Sequence, residues 1–155
     1  MQLAHTQTRI ITVDFQTLDY TAQVERLNTV AGAALRKLGF SGTSHELISY
    51  TNNAIYRVDA DESRYVLRVH RPGLKRQVWI NSERMWLAAL WDEASLRVPN
   101  PTHDVVEGTV DGYDGPVYVD VLAWLTGEPA SLSSMTSEQI HALGGFAAKL
   151  HAFDF

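Results

Sequence analysis

Cysteine is absent from this sequence of 155 residues, and its absence excludes several kinds of chemistry. Without thiols the chain has no disulfides, no thiolate metal sites and no thiol nucleophile. The six histidines show no His-x-x-x-His spacing and are not flanked by carboxylates at metal-ligand spacing. We therefore predict no metal site in this chain.

Long apolar runs and an excess of positive charge are also missing. The sequence has no run of about eighteen apolar residues, and no basic segment followed by an apolar run opens it, so we expect a cytoplasmic protein without a membrane partner. Thirteen Lys and Arg residues against eighteen Asp and Glu residues give a formal net charge of -5, which argues against nucleic acid as a partner.

A small basic cluster is nevertheless present, formed by Arg68, Arg71, Lys75 and Arg76. It is too small for a nucleic-acid duplex but adequate for a small polyanion such as a nucleotide. The alternative is a solvated loop between a strand and a helix.

The composition, 45% hydrophobic and 20% charged, is typical of one globular domain with a real core. Helical spacing of apolar residues predicts a first helix from Asp19 or Thr21 to Gly39, and a capping box at Thr136–Gln139 predicts a last helix. That last helix contains Gly144 and Gly145, which we expect a close backbone contact to compensate. Alternation and turn residues predict strands over 45–50, 54–59, 64–70, 105–106 and 117–122, with a further helix after the third. The predicted class is α+β.

One cation and one anion stand out in this pattern. Alternate side chains of a strand share a face, so Arg68 lies on the face opposite Leu67 and Val69. In the following helix, Glu83 is centred on an apolar stripe that includes Trp79 and Trp86. A buried carboxylate without a partner costs several kcal/mol, so we expect Arg68 to pair with Glu83. The pair either serves a ligand or only fixes how strand and helix pack. A further alternative is that Glu83 reaches water from the edge of the stripe.

The order of these parts resembles the nucleotide-binding lobe of the aminoglycoside phosphotransferase and choline kinase-like family, over roughly residues 20 to 153. Several local strings carry the resemblance: Asn53–Val58, Tyr65–Pro72, Glu83 with Trp86–Leu90, Val98–Pro101, Trp124–Glu128, and Leu143–Gly144 with Leu150–His151. It implies a five-stranded antiparallel sheet with a packed helix, as in the N-lobe of protein kinases, and a C-terminal helix that leads toward a second lobe.

The resemblance also implies an ATP site. Arg68 occupies the position of the strand lysine that contacts the α- and β-phosphates, and Glu83 that of its helix partner. Arginine is a departure from the family, because its planar fork is larger than an ammonium group. The phosphates would be covered by a turn without glycine, which includes Thr51, Asn52 and Asn53, and adenine would be bound by the main chain of Leu122, Ala123 and Trp124.

The family's catalytic base and magnesium-binding aspartate lie in its second lobe, and no His-Gly-Asp loop occurs in this sequence. Asp154 is not a substitute. We therefore expect an amino-terminal portion of a kinase that uses ATP and Mg²⁺ to phosphorylate a small-molecule hydroxyl, inactive alone. The predicted organisation is an irregular segment (1–18), a kinase-like N-lobe (19–123), and an inter-lobe connection with the start of a helical region (124–155).

Two alternatives remain open at this level. One is a stand-alone nucleotide-binding or pseudokinase module that regulates a partner. The other is an α+β interaction domain without a nucleotide site, since an inter-lobe surface left exposed is apolar and can self-associate.

Overall fold

A computed structural model describes residues 13–40, 42–60, 62–128, 130–131 and 133–153. The helices are a short 3-10 helix (Phe15–Thr17), α1 (Tyr20–Lys37), α2 (Gln77–Asp92) and α3 (Ser137–Ala152). The strands are β1 (Ser44–Tyr50), β2 (Asn53–Ala60), β3 (Ser63–His70), β4 (Val106–Val110) and β5 (Tyr113–Ala123). The predicted α+β class is confirmed. Asp154 and residues 1–12 of the predicted N-terminal segment lie outside the described residues.

All five strands form one antiparallel sheet, as predicted, and their order in the sheet is β1-β2-β3-β5-β4. The β4–β5 hairpin places β5 beside β3, so β3 lies in the centre of the sheet. In this register Arg68 of β3 lies directly opposite Asp120 of β5. Residues directly opposite each other share one face of a sheet, so these two charged side chains are neighbours.

The main core lies between α1 and one face of the sheet. Leu27, Ala31 and Leu35 of α1 are buried there together with Leu67 and Val69 of β3. The prediction that Leu67 and Val69 point away from Arg68 is therefore confirmed. Because the apolar residues of β3 fill this core, Arg68 projects from the opposite face, toward α2.

Helix α2 is less buried than its sequence pattern predicts. Ile80 and Leu90 are buried, but Trp79 and Trp86 are 51% and 38% exposed. The apolar stripe on which Glu83 is centred is therefore only partly buried, and the Glu83 side chain itself is 32% exposed, as expected if Glu83 reaches water from the edge of the stripe. The helix packs along one edge of the stripe, and its contacts with the sheet include ion pairs made by Glu83 and Arg84.

Residues 13–18 contribute to the core although the sequence indicates no regular structure there. Phe15 is fully buried, and its N–H donates to the carbonyl of Gly112 at 2.8 Å. The buried amide of Gln23 donates to the carbonyls of Phe15 and Leu18. The short 3-10 helix is thus attached both to α1 and to the β4–β5 turn.

Helix α3 begins with the predicted capping box, in which Thr136 and Gln139 exchange hydrogen bonds. It has no buried residues, although Phe146 and Leu150 pack beside the small cluster of Leu90, Leu96 and Val98. The expected close contact at Gly144 and Gly145 is wrong for the described residues, because a Cβ at either position would meet nothing within 4 Å. None of the helices in the described part combines the length and apolarity that a membrane crossing requires.

Candidate functional site

Arg68 pairs with Glu83, as predicted. Nη1 of Arg68 donates to Oε1 of Glu83 at 2.5 Å, and the other carboxylate oxygen of Glu83 accepts from Nζ of Lys75 at 3.0 Å. The Arg68 side chain is 11% exposed, whereas the Glu83 side chain is 32% exposed. The pair therefore lies at the edge of the α2 interface, where solvent or a ligand reaches the carboxylate side.

Asp120 is the second partner of Arg68 and was not predicted. Its two oxygens accept from Nε of Arg68 at 3.0 Å and from Nη2 at 2.7 Å, the side-on fork typical of arginine–carboxylate pairs. Nε2 of His70 lies 3.1 Å from Oδ1, and Nη1 of Arg84 donates to Oδ2 at 3.3 Å. Asp120 is fully buried, yet all its acceptor capacity is used.

These contacts determine the charge state of the site. Burial alone would raise the pKa of Asp120, but hydrogen bonds from His70 and Arg68 outweigh burial and hold that pKa well below its usual range. Burial would likewise raise the pKa of Glu83, but Arg68 and then Lys75 lower it overall. Both carboxylates are therefore ionised at neutral pH. Because ionised Asp120 can only accept, Nε2 of His70 must be a donor.

The cluster has an excess of positive charge. Three cations, Arg68, Lys75 and Arg84, pair with the carboxylates of Glu83 and Asp120. Even when His70 is not counted, the cluster therefore carries one net positive charge. Arg68 has five N–H groups, of which three are engaged by described residues, so two are left for a ligand. An anion is the ligand that such a site favours. In the described residues no group of three or more His, Asp and Glu side chains could hold a metal ion.

The turn predicted to cover phosphates lies at the same end of the sheet as His70. Thr51 and Asn52 are exposed, and Asn53 lies directly opposite His70 in the register. Oδ1 of Asn53 and Nδ1 of His70 are both buried and have no hydrogen-bond partner among the described residues. Buried polar atoms are rarely left without partners, so this end has hydrogen-bonding capacity for water or a ligand.

The predicted adenine-binding residues lie at the far end of β5. Leu122 forms an isolated antiparallel β-bridge with Pro101. The N–H of Ala123 donates to the carbonyl of Asn100 at 2.7 Å, so this N–H is not free for adenine. Trp124 follows the strand, and the guanidinium of Arg64 lies 5.3 Å from its ring centroid. Of the three residues, Trp124 has the main-chain groups least committed to the sheet.

One feature of the sequence indicates that Asp120 is a buried charge, although neither strand alternation nor helical spacing identifies it. A single carboxylate lies within the apolar run Val117–Leu122, and a buried charge of this kind requires partners. Its partner follows only from the register of β3 with β5, which depends on the β4–β5 hairpin. The contact of His70 with Asp120 was missed for the same reason, and that of Arg84 because it depends on how α2 packs on the sheet.

Comparison with known proteins gives two findings. The profile of the family described as phosphotransferase enzyme family matches residues 46–155. A solved structure of a microcompartment-associated aminopropanol kinase is similar over 81% of this chain, with 31% sequence identity and a TM-score of 0.66. The match spans 40% of that kinase, so this chain corresponds to less than half of its length. None of the curated proteins compared with the chain matches it.

Proposed function

The chain belongs to the phosphotransferase enzyme family, and on this basis we propose that it forms the ATP-binding lobe of a kinase that phosphorylates a small-molecule hydroxyl. The observation that carries the proposal is the Arg68–Glu83 ion pair, a buried strand cation held by a helix carboxylate. A fixed cation beside transferring phosphates neutralises their charge and orients them. A cytoplasmic location is part of the proposal, because the kinase would draw on the ATP and Mg²⁺ of the cytoplasm.

The other proposed contacts follow the geometry of the sheet. Thr51, Asn52 and Asn53 would cover the phosphates from the β1–β2 turn, and the exposed hydroxyl and amide groups there would supply donors. Of the adenine contacts expected at Leu122, Ala123 and Trp124, the main chain of Trp124 is the best placed, because its N–H and carbonyl lie beyond the sheet ladder, whereas the N–H of Ala123 already donates to Asn100.

These 155 residues alone are proposed not to transfer phosphate. No group of three or more His, Asp and Glu side chains in the described part could hold a metal ion. The family resemblance implies that the catalytic base, the Mg²⁺ ligands and the acceptor pocket lie in a second lobe, and the match spans only 40% of the solved kinase. Because the similar solved structure is that of an aminopropanol kinase, small amino alcohols are the first acceptors to test.

Calorimetric titration with ATP and ADP tests the proposal. We expect the wild-type chain to bind both, and Arg68→Gln to weaken binding by about tenfold or more, because a charge-assisted contact with phosphate is lost. Arg97→Gln is the matched control, since Arg97 is an exposed arginine without an ion pair among the described residues. Absence of ATP binding by the folded wild type would contradict the proposal, as would equal losses in the two variants.

A second candidate, self-association without nucleotide, is supported by the outer face of α3. Ile140 and Leu143 are 57% and 53% exposed on this helix, and exposed apolar patches favour association. ATP binding and self-association are measured independently, so each candidate has its own test.

A further inference from the structure

The buried carboxylate of Asp120 has no role in the function proposed so far. It lies on β5, directly opposite Arg68, and accepts both N–H groups of one side of the guanidinium. A side-on fork fixes the plane of the guanidinium as well as its position, which a single contact cannot do. Asp120 therefore determines where the two remaining N–H directions of Arg68 point.

Asp120 is a firmer support for Arg68 than Glu83 is. Four donors from three residues surround its oxygens, it is fully buried, and it belongs to a central strand of the sheet. Glu83 belongs to α2, has one contact with Arg68, shares its carboxylate with Lys75 and is partly exposed. If α2 shifts, the contact of Glu83 changes, whereas the β3–β5 contact does not.

We propose that Asp120 is the positioning residue of the nucleotide site, so that the sheet itself, and not α2, orients Arg68 toward the phosphates. This inference rests on the proposed ATP-binding function. It also gives a reason for arginine at position 68: an ammonium group could not satisfy both oxygens of buried Asp120 and still contact Glu83 and a phosphate. Arg68 and Asp120 thus form one unit.

The experiment compares two carboxylate variants, Asp120→Asn and Glu83→Gln, by ADP titration and by the ¹⁵N–¹H resonance of the Arg68 Nε–H group. We expect Asp120→Asn to weaken ADP binding by about tenfold to a hundredfold, by analogy with the loss of metal affinity when the hydrogen-bonded partner of a metal ligand is removed. We expect Glu83→Gln to weaken it by about threefold or less, with the Nε–H resonance retained. A larger loss in Glu83→Gln than in Asp120→Asn would overturn the proposal.

An Arg68→Lys background separates positioning from general destabilisation. If Asp120 acts through the fork of Arg68, Asp120→Asn weakens ADP binding much less when residue 68 is Lys, because the fork is already absent. If Asp120→Asn weakens ADP binding equally with Arg and with Lys at position 68, the proposal is overturned. Asp59→Asn is the matched control, because Asp59 also pairs with two arginines of the same sheet, Arg57 and Arg64, but is exposed to solvent.

The test of Asp120 can be decided even if Asp120→Asn does not fold or if the wild type binds no nucleotide. If Asp120→Asn does not fold, Glu83→Gln decides, since tenfold weaker ADP binding in that variant would show that α2 orients Arg68. If the wild type binds no nucleotide, the ATP proposal fails. The Nε–H resonance, which needs no ligand, would then still show whether Asp120 or Glu83 holds the guanidinium.

Discussion

Asp120 brings a negative charge into the middle of an apolar strand, and the charges around it account for most of the candidate site. Removing one member of a buried, hydrogen-bonded ion pair leaves its partners without compensation, which usually costs about 3–5 kcal/mol. Arg68, His70 and Arg84 all donate to Asp120. The residues of this cluster therefore depend on one another for stability.

The lowered pKa of Asp120 predicts a loss of stability in acid. A carboxyl group with a lower pKa in the folded than in the unfolded state stabilises the fold above its unfolded pKa, near 4, and this contribution falls as the pH drops below that value. From about pH 7 to about pH 3 we expect the unfolding free energy of the wild type to fall by about 1 kcal/mol more than that of Asp120→Asn. Urea unfolding at both pH values measures this difference. Identical pH dependence in the two proteins would contradict it.

Two tyrosines allow a matched test of hydrogen bonding. The hydroxyl of Tyr50 donates to Oε1 of Gln23 at 2.6 Å, whereas the buried hydroxyl of Tyr56 has no partner among the described residues. We expect Tyr50→Phe to lower the unfolding free energy by about 1 kcal/mol, and Tyr56→Phe to leave it unchanged or raise it by up to about 1 kcal/mol. Urea unfolding of both variants is the measurement. A larger loss for Tyr56→Phe than for Tyr50→Phe would show that the Tyr56 hydroxyl is bonded.

For single residues, the sequence predicts the Arg68–Glu83 pair but not the further contacts of Arg68 with Asp120. Strand alternation and the cost of a lone buried carboxylate were enough to pair Arg68 with Glu83. The contact with Asp120 joins residues 52 positions apart and depends on strand register, which local patterns do not determine. The nucleotide role of these residues stays a prediction.

Among the elements, the β4–β5 turn and the 3-10 helix depend on each other. Gly112 has φ +81°, and a Cβ there would overlap the carbonyl oxygen of Val13 and lie 2.8 Å from the nitrogen of Phe15. Gly39 at the end of α1 has a similar φ of +87°, but a Cβ there would meet nothing within 4 Å. The two glycines thus share a backbone conformation and differ in the surrounding space.

This difference predicts unequal effects of alanine. Gly39→Ala is expected to cost about 1–2 kcal/mol, from the left-handed backbone alone. Gly112→Ala is expected to cost clearly more, because the backbone of residues 13–15 must also move. Urea unfolding of the two variants gives the comparison. Equal costs would mean that the contact between the turn and the 3-10 helix contributes nothing.

Sequence patterns predict the helices and strands better than their burial. The three α-helices and the first three strands were predicted from alternation, helical spacing and capping residues. The last two strands were predicted only over 105–106 and 117–122, and this was too short, because β4 (Val106–Val110) and β5 (Tyr113–Ala123) extend into the glycine-rich stretch between them as far as a tight turn. The burial of Phe15 was not, because one aromatic residue in a short polar stretch forms no periodic pattern. The exposure of Trp79 and Trp86 also differs from expectation, since an apolar stripe shows which helix face is apolar but not how much of it another element covers.

Over the whole molecule, negative net charge coexists with a locally positive site. The chain carries a formal charge of -5, yet at the site three cations, one of which is Arg68, pair with two carboxylates. The proposed attraction of a nucleotide would therefore be local and would not arise from the field of the whole chain. We expect nucleotide affinity to depend on the charged groups within the site and not on surface arginines elsewhere.

The exposed face of α3 predicts self-association that one charge can reduce. Sedimentation of the wild type at increasing concentration is expected to show dimers, and Leu143→Lys is expected to reduce them, because it places a charge in the apolar face. Val78→Lys is the matched control, since Val78 is equally exposed but on α2. If Val78→Lys reduces association and Leu143→Lys does not, the contact lies on α2. A wild type that stays monomeric would contradict self-association altogether.

The most direct measurement of the central claim is the ratio of the dissociation constants for adenosine and ADP, determined for the wild type and for Arg68→Gln. Adenosine lacks the phosphates that Arg68 is proposed to contact, so it should bind both proteins about equally. We predict that ADP binds the wild type at least about tenfold more tightly than adenosine does, and that this preference disappears in Arg68→Gln. An ADP preference that is unchanged in folded Arg68→Gln would contradict the account.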